Sequence, residues 1–165
     1  MEKHKFILFL DIDGVLVSYD DLLLRDDNSD HLFRDYSVEA LNMLVAYYGA
    51  KIVISSTWRK KSHMGNAEEF QGFFDKRGVE AEVIGITPHV KGVRGDEINA
   101  WLDINPTERY IVLDDETRDI EGIIDMRYVW KTNRWRCLDS YDARAAIFRF
   151  DRVFAGEEVT IAQSN

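Results

Sequence analysis

The chain has one cysteine, two prolines, little positive charge and no long apolar run among its 165 residues. A lone Cys137 can form neither an internal disulfide nor a cysteine-rich zinc site, which fits a reducing compartment and a packed or surface thiol. Two prolines, with no low-complexity tract, repeat or Gly/Ser linker, leave no domain boundary to place. A chain of this length buries one ordinary core. The expectation is a single domain over residues 1–165, with a core of about 5–150 and a C-terminal tail of about 151–165. Positive charge is scarce, since 21 Lys plus Arg stand against 30 Asp plus Glu for a net charge of −9. That withholds the broad positive field used for sequence-independent binding of nucleic acid or anionic membranes, while still allowing a local basic patch. The N-terminal apolar run, Phe6–Leu10, is far too short to span a bilayer or to serve as a signal peptide. These absences predict a soluble, cytoplasmic protein that does not engage a membrane.

What the chain does contain is a repeated alternation of apolar runs and helical spacing. Phe6–Leu10, Lys51–Ser55, Tyr110–Leu113 and a weaker Tyr128–Trp130 are short runs rich in Ile, Val and Leu, each followed by polar residues, as in buried parallel strands. Val83–Ile86 is a further short candidate. Helical spacing marks Ser37–Tyr48, Ala67–Lys76, Gly95–Leu102 and Ser140–Phe150, with Ser37, Asp96 and Ser140 as N-caps or first-turn residues. This alternation predicts an α/β fold around a central parallel sheet. Residues 18–36, with Asp20, Asp21, Arg25, Asp26, Asp27 and Asp30, read as a polar loop or small flap.

Ligands of open α/β sheets bind at the carboxyl ends of the strands, and the residues there carry chemistry. The first run ends in Asp11-Ile12-Asp13-Gly14, the second in Ser55-Ser56-Thr57-Trp58-Arg59, and the third in Asp114-Asp115-Glu116 with Asp119 a turn later. Each motif alone has an ordinary reading as a turn, a cap or a solvated acidic pair. An EF-hand is excluded for the first, because the further oxygen ligands and the closing Glu are missing. Together, acids from two strands would repel one another in one cleft unless a hard divalent cation, most naturally Mg2+, relieved them. A carboxylate can also attack phosphorus to form an aspartyl-phosphate, with Asp13 within reach to protonate the leaving oxygen. Gly14 would let the backbone approach the phosphate. Ser55 or Ser56 could bond a phosphoryl oxygen, and a cation from His89–Gly95 could neutralise its charge.

These residues, in this order, resemble the haloacid dehalogenase (HAD) superfamily of phosphohydrolases. The chain reads Phe6-Ile7-Leu8-Phe9-Leu10-Asp11-Ile12-Asp13-Gly14-Val15-Leu16 where that family has a hydrophobic run and DxDG. Ile52-Val53-Ile54-Ser55-Ser56 matches its Ser/Thr-ended strand, and Asp114-Asp115-Glu116-Thr117-Arg118-Asp119 its acidic motif. The resemblance implies a three-layer Rossmannoid HAD-like fold, Asp11 as nucleophile and metal ligand, and Asp13 as general acid/base with its carbonyl on the metal. It gives Mg2+ to Asp114 and Asp115, one of them directly. Phosphate would be held by Ser56 or Ser55 and by Lys91 or Arg94, both of which precede a helix. The run Ser-Ser-Thr-Trp-Arg, with Arg94–Leu102 and Lys131-Thr132-Asn133, is similar to the small branch found in nucleic-acid repair proteins of the Swiss-army-knife type, although Cys137 stands where glycine is expected.

Family members acting on small metabolites commonly carry a folded cap, and neither insertion point here has room for a large one. A minimal or absent cap predicts an open site suited to bulky phosphorylated substrates such as polynucleotide ends or phosphoproteins. Trp58, Trp101 and Trp130 read as buried packing, whereas Trp135, in Arg134-Trp135-Arg136, reads either as part of a solvated loop or as a contact for a phosphorylated polymer. The alternatives are a metal-dependent nuclease, a small-metabolite or nucleotide phosphatase, and a non-catalytic phosphate-binding module.

Overall fold

A computed structural model of the chain describes residues 3–24 and 33–161. Five strands, β1 (His4–Leu10), β2 (Lys51–Ile54), β3 (Val83–Ile86), β4 (Thr107–Asp114) and β5 (Val129–Lys131), form one sheet in the order β3-β2-β1-β4-β5. All four pairings are parallel. The helices are α1 (Tyr19–Leu23), α2 (Asp35–Tyr48), α3 (Ala67–Asp75), α4 (Arg94–Ile104) and α5 (Ser140–Phe154), with short 3-10 turns at Thr57–Lys60 and Met126–Tyr128.

The central strand explains why the sheet is buried on both faces. Successive side chains of a strand point to opposite sides. Phe6, Leu8 and Leu10 enter a large cluster with Leu41 and Leu44 of α2, Phe70 and Phe74 of α3, and Ala146 and Phe150 of α5. Ile7 and Phe9 enter a second cluster with Ile98 and Trp101 of α4 and with Ile120 and Ile124. The result is a three-layer α/β sandwich.

Some boundaries move for packing reasons. Helix α5 runs four residues past Phe150, because Val153 is buried and Phe154 closes against Phe6 at 5.6 Å and stacks on Tyr128 at 5.8 Å. Strand β4 begins at Thr107, opposite His4, although its first residues are polar. The segment read as a loop or flap contains α1, whose Asp21 amide donates to the capping Ser18 hydroxyl; Arg25, Asp26, Asp27 and Asp30 lie outside the described residues. Asp139, one residue before Ser140, caps α5, while Ser37 and Asp96 fall in first turns, Asp96 accepting from the Val93 amide. Among the described residues no helix is long and apolar enough to cross a membrane.

Candidate active site

The sheet register brings the strand ends into one row. Leu10 is paired with Ile54 on one side and Leu113 on the other, so the next residues are Asp11, Ser55 and Asp114. Backbone bonds extend the pairing one step further, from the Asp11 amide to Leu113 and from the Ser55 amide to Leu10. The chain leaves β1 toward β2 and returns through α4 to β4 on the opposite side. This reversal opens a crevice at the carboxyl ends of β1 and β4. A cleft of about 140 Å3 lies there, lined by Asp11, Asp13, Arg94, Asp114, Asp115 and Asp119 together with Tyr19, Thr57 and Glu116.

Asp11, Asp114 and Asp115 are all buried. Each offers an oxygen within 4.8 Å of the others. Burial is the main reason that all three carboxyls are shifted upward. For Asp114 and Asp115 the charge of Asp11 adds to it, and Asp115 reaches about 6. Arg94 is the counter-charge, with Nη1 at 3.2 Å from both Asp11 Oδ1 and Asp114 Oδ2 and a further bond to the Ser55 carbonyl. Burial works against its charge, but Asp11 and Asp114 outweigh it and hold the guanidinium protonated. Arg134 reaches Asp115 from the other side at 3.1 Å, out of line for a hydrogen bond, which leaves Asp115 Oδ2 buried without one.

Two guanidinium groups do not satisfy three buried carboxylates. The close-set oxygens, with Asp115 Oδ2 accepting no hydrogen bond, are the donor set that a hard divalent cation such as Mg2+ takes, so the residues present fit that ion.

Gly14 plays a part that its place in the motif does not announce. Its φ is +79°, and a Cβ there would lie 2.4 Å from Asp115 Cγ. What the missing side chain admits is therefore Asp115. Thr132 fastens the same turn by donating to the Gly14 carbonyl at 2.8 Å. The Ser56 hydroxyl accepts from the Trp58 amide and helps to favour the charged form of Asp11, whereas the Ser55 hydroxyl is buried without a hydrogen-bond partner. The Ser56 carbonyl is held by Arg59, which is itself paired with Glu97 of α4 inside the protein. The two candidate cations separate clearly: Arg94 occupies the cleft, and Lys91 is exposed on the preceding loop and does not line it.

Reasoning from strand ends alone left out Tyr19, Thr57 and the inner role of Arg134. Tyr19 lies on α1, in the stretch read as a loop. Its ring meets Trp135 edge-on at 5.8 Å and lies under Arg134 at 4.8 Å. Thr57 had a usable signal, since it directly follows the Ser55-Ser56 pair. Arg134 had none, because its link to Asp115 spans two strands. Trp58 and Trp101 are buried and Trp130 packs on Phe150, while Trp135 is half exposed beside the cleft.

Residues 7–146 match the family model described as the HAD domain in Swiss Army Knife RNA repair proteins. No curated protein matches the chain.

Proposed function

Because the chain belongs to the family of HAD domains in Swiss Army Knife RNA repair proteins, we propose that it is an Mg2+-dependent phosphatase that removes a terminal phosphate from a nucleic-acid end through a phospho-Asp11 intermediate. The observation that carries the reading is the row of Asp11, Asp114 and Asp115 oxygens, all within 4.8 Å of one another, with Arg94 bridging Asp11 and Asp114 and with Asp13 in the same cleft.

In the first half-reaction an Asp11 oxygen attacks phosphorus. The bond to the leaving oxygen breaks with its electron pair, and Asp13 gives that oxygen its proton. In the second, Asp13 takes a proton from water as the water oxygen attacks phosphorus, which releases phosphate and restores the Asp11 carboxylate. Arg94 and Thr57, which line the cleft, face charge that builds on the phosphoryl oxygens. Asp11, Asp114 and Asp115 would hold Mg2+, with the Asp13 carbonyl as a further ligand, and the bound ion would polarise the phosphoryl group and offset the acids' repulsion.

Two features support a bulky substrate. Among the described residues, only the five-residue α1 stands between β1 and α2, far less than an enclosing cap. Trp135 presents a half-exposed ring at the mouth, flanked by Arg134 and Arg136, where a terminal base can stack.

The test is phosphate release from 3′- and 5′-phosphorylated oligonucleotides with Mg2+, using Asp11→Asn as the blank. Release of inorganic phosphate with the strand left whole is expected. Internal cleavage without phosphate release would make the protein a nuclease, and efficient turnover of free sugar phosphates alone would make it a metabolite phosphatase.

A further inference from the structure

We propose that Trp58 is a positioning residue: its indole N–H holds the Asp13 carboxyl in the orientation from which the proton reaches the departing oxygen. The inference rests on the reading of Asp13 as the acid of the cleft.

Trp58 Nε1 donates to Asp13 Oδ1 at 2.8 Å. Trp58 is almost wholly buried, in the turn that follows β2, and Asp13 lies 45 residues earlier beyond the end of β1. The indole is held from several sides. Phe73 meets it edge-on at 5.6 Å, Phe33 lies at 6.4 Å, and the Lys61 ammonium sits 3.7 Å over the ring. A ring fixed in this way presents its N–H in one direction, so the bond restricts Asp13 rather than the reverse.

A buried Trp N–H usually finds some acceptor, so the bond alone would be ordinary packing. Two further observations raise it above that. The acceptor is a carboxylate lining the reaction cleft. The backbone amide of the same residue also donates to Ser56 Oγ at 3.3 Å, and that hydroxyl favours the charged form of Asp11. One residue thus orders the carboxylate assigned to proton transfer and a hydroxyl that acts on the attacking carboxylate. An indole N–H only donates, so it fixes Asp13 without ever competing for the proton that Asp13 must deliver. Misplacing such a group by a fraction of an ångström lowers proton transfer without weakening metal binding.

The experiment compares kcat/KM, which ends at leaving-group departure, for glycerol 2-phosphate and 4-nitrophenyl phosphate in Mg2+. The proteins are wild type, Trp58→Phe, Asp13→Asn and the double variant. Trp58→Phe is expected to lose about tenfold or more on the alkyl ester, which needs a proton, and about threefold or less on the aryl ester, which does not. The gain in melting temperature on adding Mg2+ should stay unchanged. In the Asp13→Asn background, Trp58→Phe should change neither rate by more than about twofold, because the group it positions is gone.

Equal losses on the two esters, or the full loss repeated without Asp13, would make Trp58 a packing residue and overturn the inference alone. Equal losses on both esters in Asp13→Asn itself would overturn the reading of Asp13, and the inference with it. Should Trp58→Phe not fold, replacement of Trp58 by 3-benzothienylalanine keeps the bicyclic shape and removes the N–H, with the same two outcomes.

Discussion

The floor of the cleft and its mouth hold charge in opposite ways. On the floor, Asp11, Asp114 and Asp115 are withdrawn from water and only the first two share Arg94, so each carboxyl is pushed upward and the site is under electrostatic load without a cation. At the mouth, Arg136 is exposed and meets Asp139, just before α5, at 3.0 Å. Pairs of that kind are screened and contribute at most about 1 kcal/mol. A buried charge without full compensation is far more expensive. The fold therefore sets stability aside at the floor for function, while the mouth can be altered with little consequence for folding. Arg134 joins the two regions, lying over Tyr19 outside and beside Asp115 inside.

The sharpest way to break this contrast is Asp11→Asn. It should lower phosphatase turnover by at least about a thousandfold, since the amide is no nucleophile. The melting temperature in chelator should hold or rise, because a buried charge has been removed. Retained phosphate release from a pure sample would refute the assignment of the floor.

Next in size is Gly14→Ala. The new Cβ would meet Asp115 Cγ at 2.4 Å on a backbone with φ +79°, and about 2 kcal/mol of stability should be lost from the strained conformation and the clash. The stabilisation gained on adding Mg2+ should shrink as well, as read by thermal melts with and without the ion.

Asp115→Asn should act in the opposite sense. Its folded-state pKa is raised from 3.8 to about 6, chiefly by burial and then by Asp11. An acid raised in the fold contributes stability that is present below 3.8 and is lost as pH climbs through about 6. Metal-free wild type should therefore melt higher at pH 5 than at pH 7, and Asp115→Asn should flatten that slope and raise the melting temperature at pH 7 by about 2–4 °C. Glu116, lowered to about 2 by Arg118, titrates below this window and does not mask it. A wild-type profile that rises from pH 5 to pH 7 in chelator would show that the floor is not under load.

The smallest expected effect belongs to the mouth. Charge reversal at Arg134 would disturb Asp115 and mix the two regions, so Trp135→Ala is the cleaner change. Loss of one stacked base is worth about 1–3 kcal/mol, so KM for an end-phosphorylated oligonucleotide should rise about fivefold or more. Turnover of 4-nitrophenyl phosphate and the melting temperature should stay unchanged. Equal effects on both substrates would place Trp135 in the framework of the site rather than at its mouth.

Much of this was readable along the chain wherever neighbouring residues suffice to encode it. β1 is a continuous apolar run because both of its faces are buried, and Asp11 and Ser55 directly follow β1 and β2 while Asp114 is the last residue of β4, so locating the strands locates them. Cys137, at the place where glycine is expected, has φ +64°. A glycine preference at that position is thus explained by its left-handed backbone. Burial pushes the Cys137 thiol up to about 12, which leaves it inert. The last turn of α5 was not legible, because Phe154 belongs to the helix only through its contacts with Phe6 and Tyr128.

The sequence by itself determined the class of fold, the family and the acids available for chemistry, since these depend on local apolar patterning and on short motifs in a given order. Tertiary structure alone decided which cation enters the cleft. Lys91 and Arg94 are both positive and three residues apart, and only the start of α4 beside β1 and β4 sets Arg94 between Asp11 and Asp114. It alone showed that Gly14 makes room for Asp115, that Arg134 reaches the floor, and that Trp58 bonds Asp13. Each of those contacts joins residues distant in the chain, and their distance is set by how strands and helices pack rather than by the residues between them.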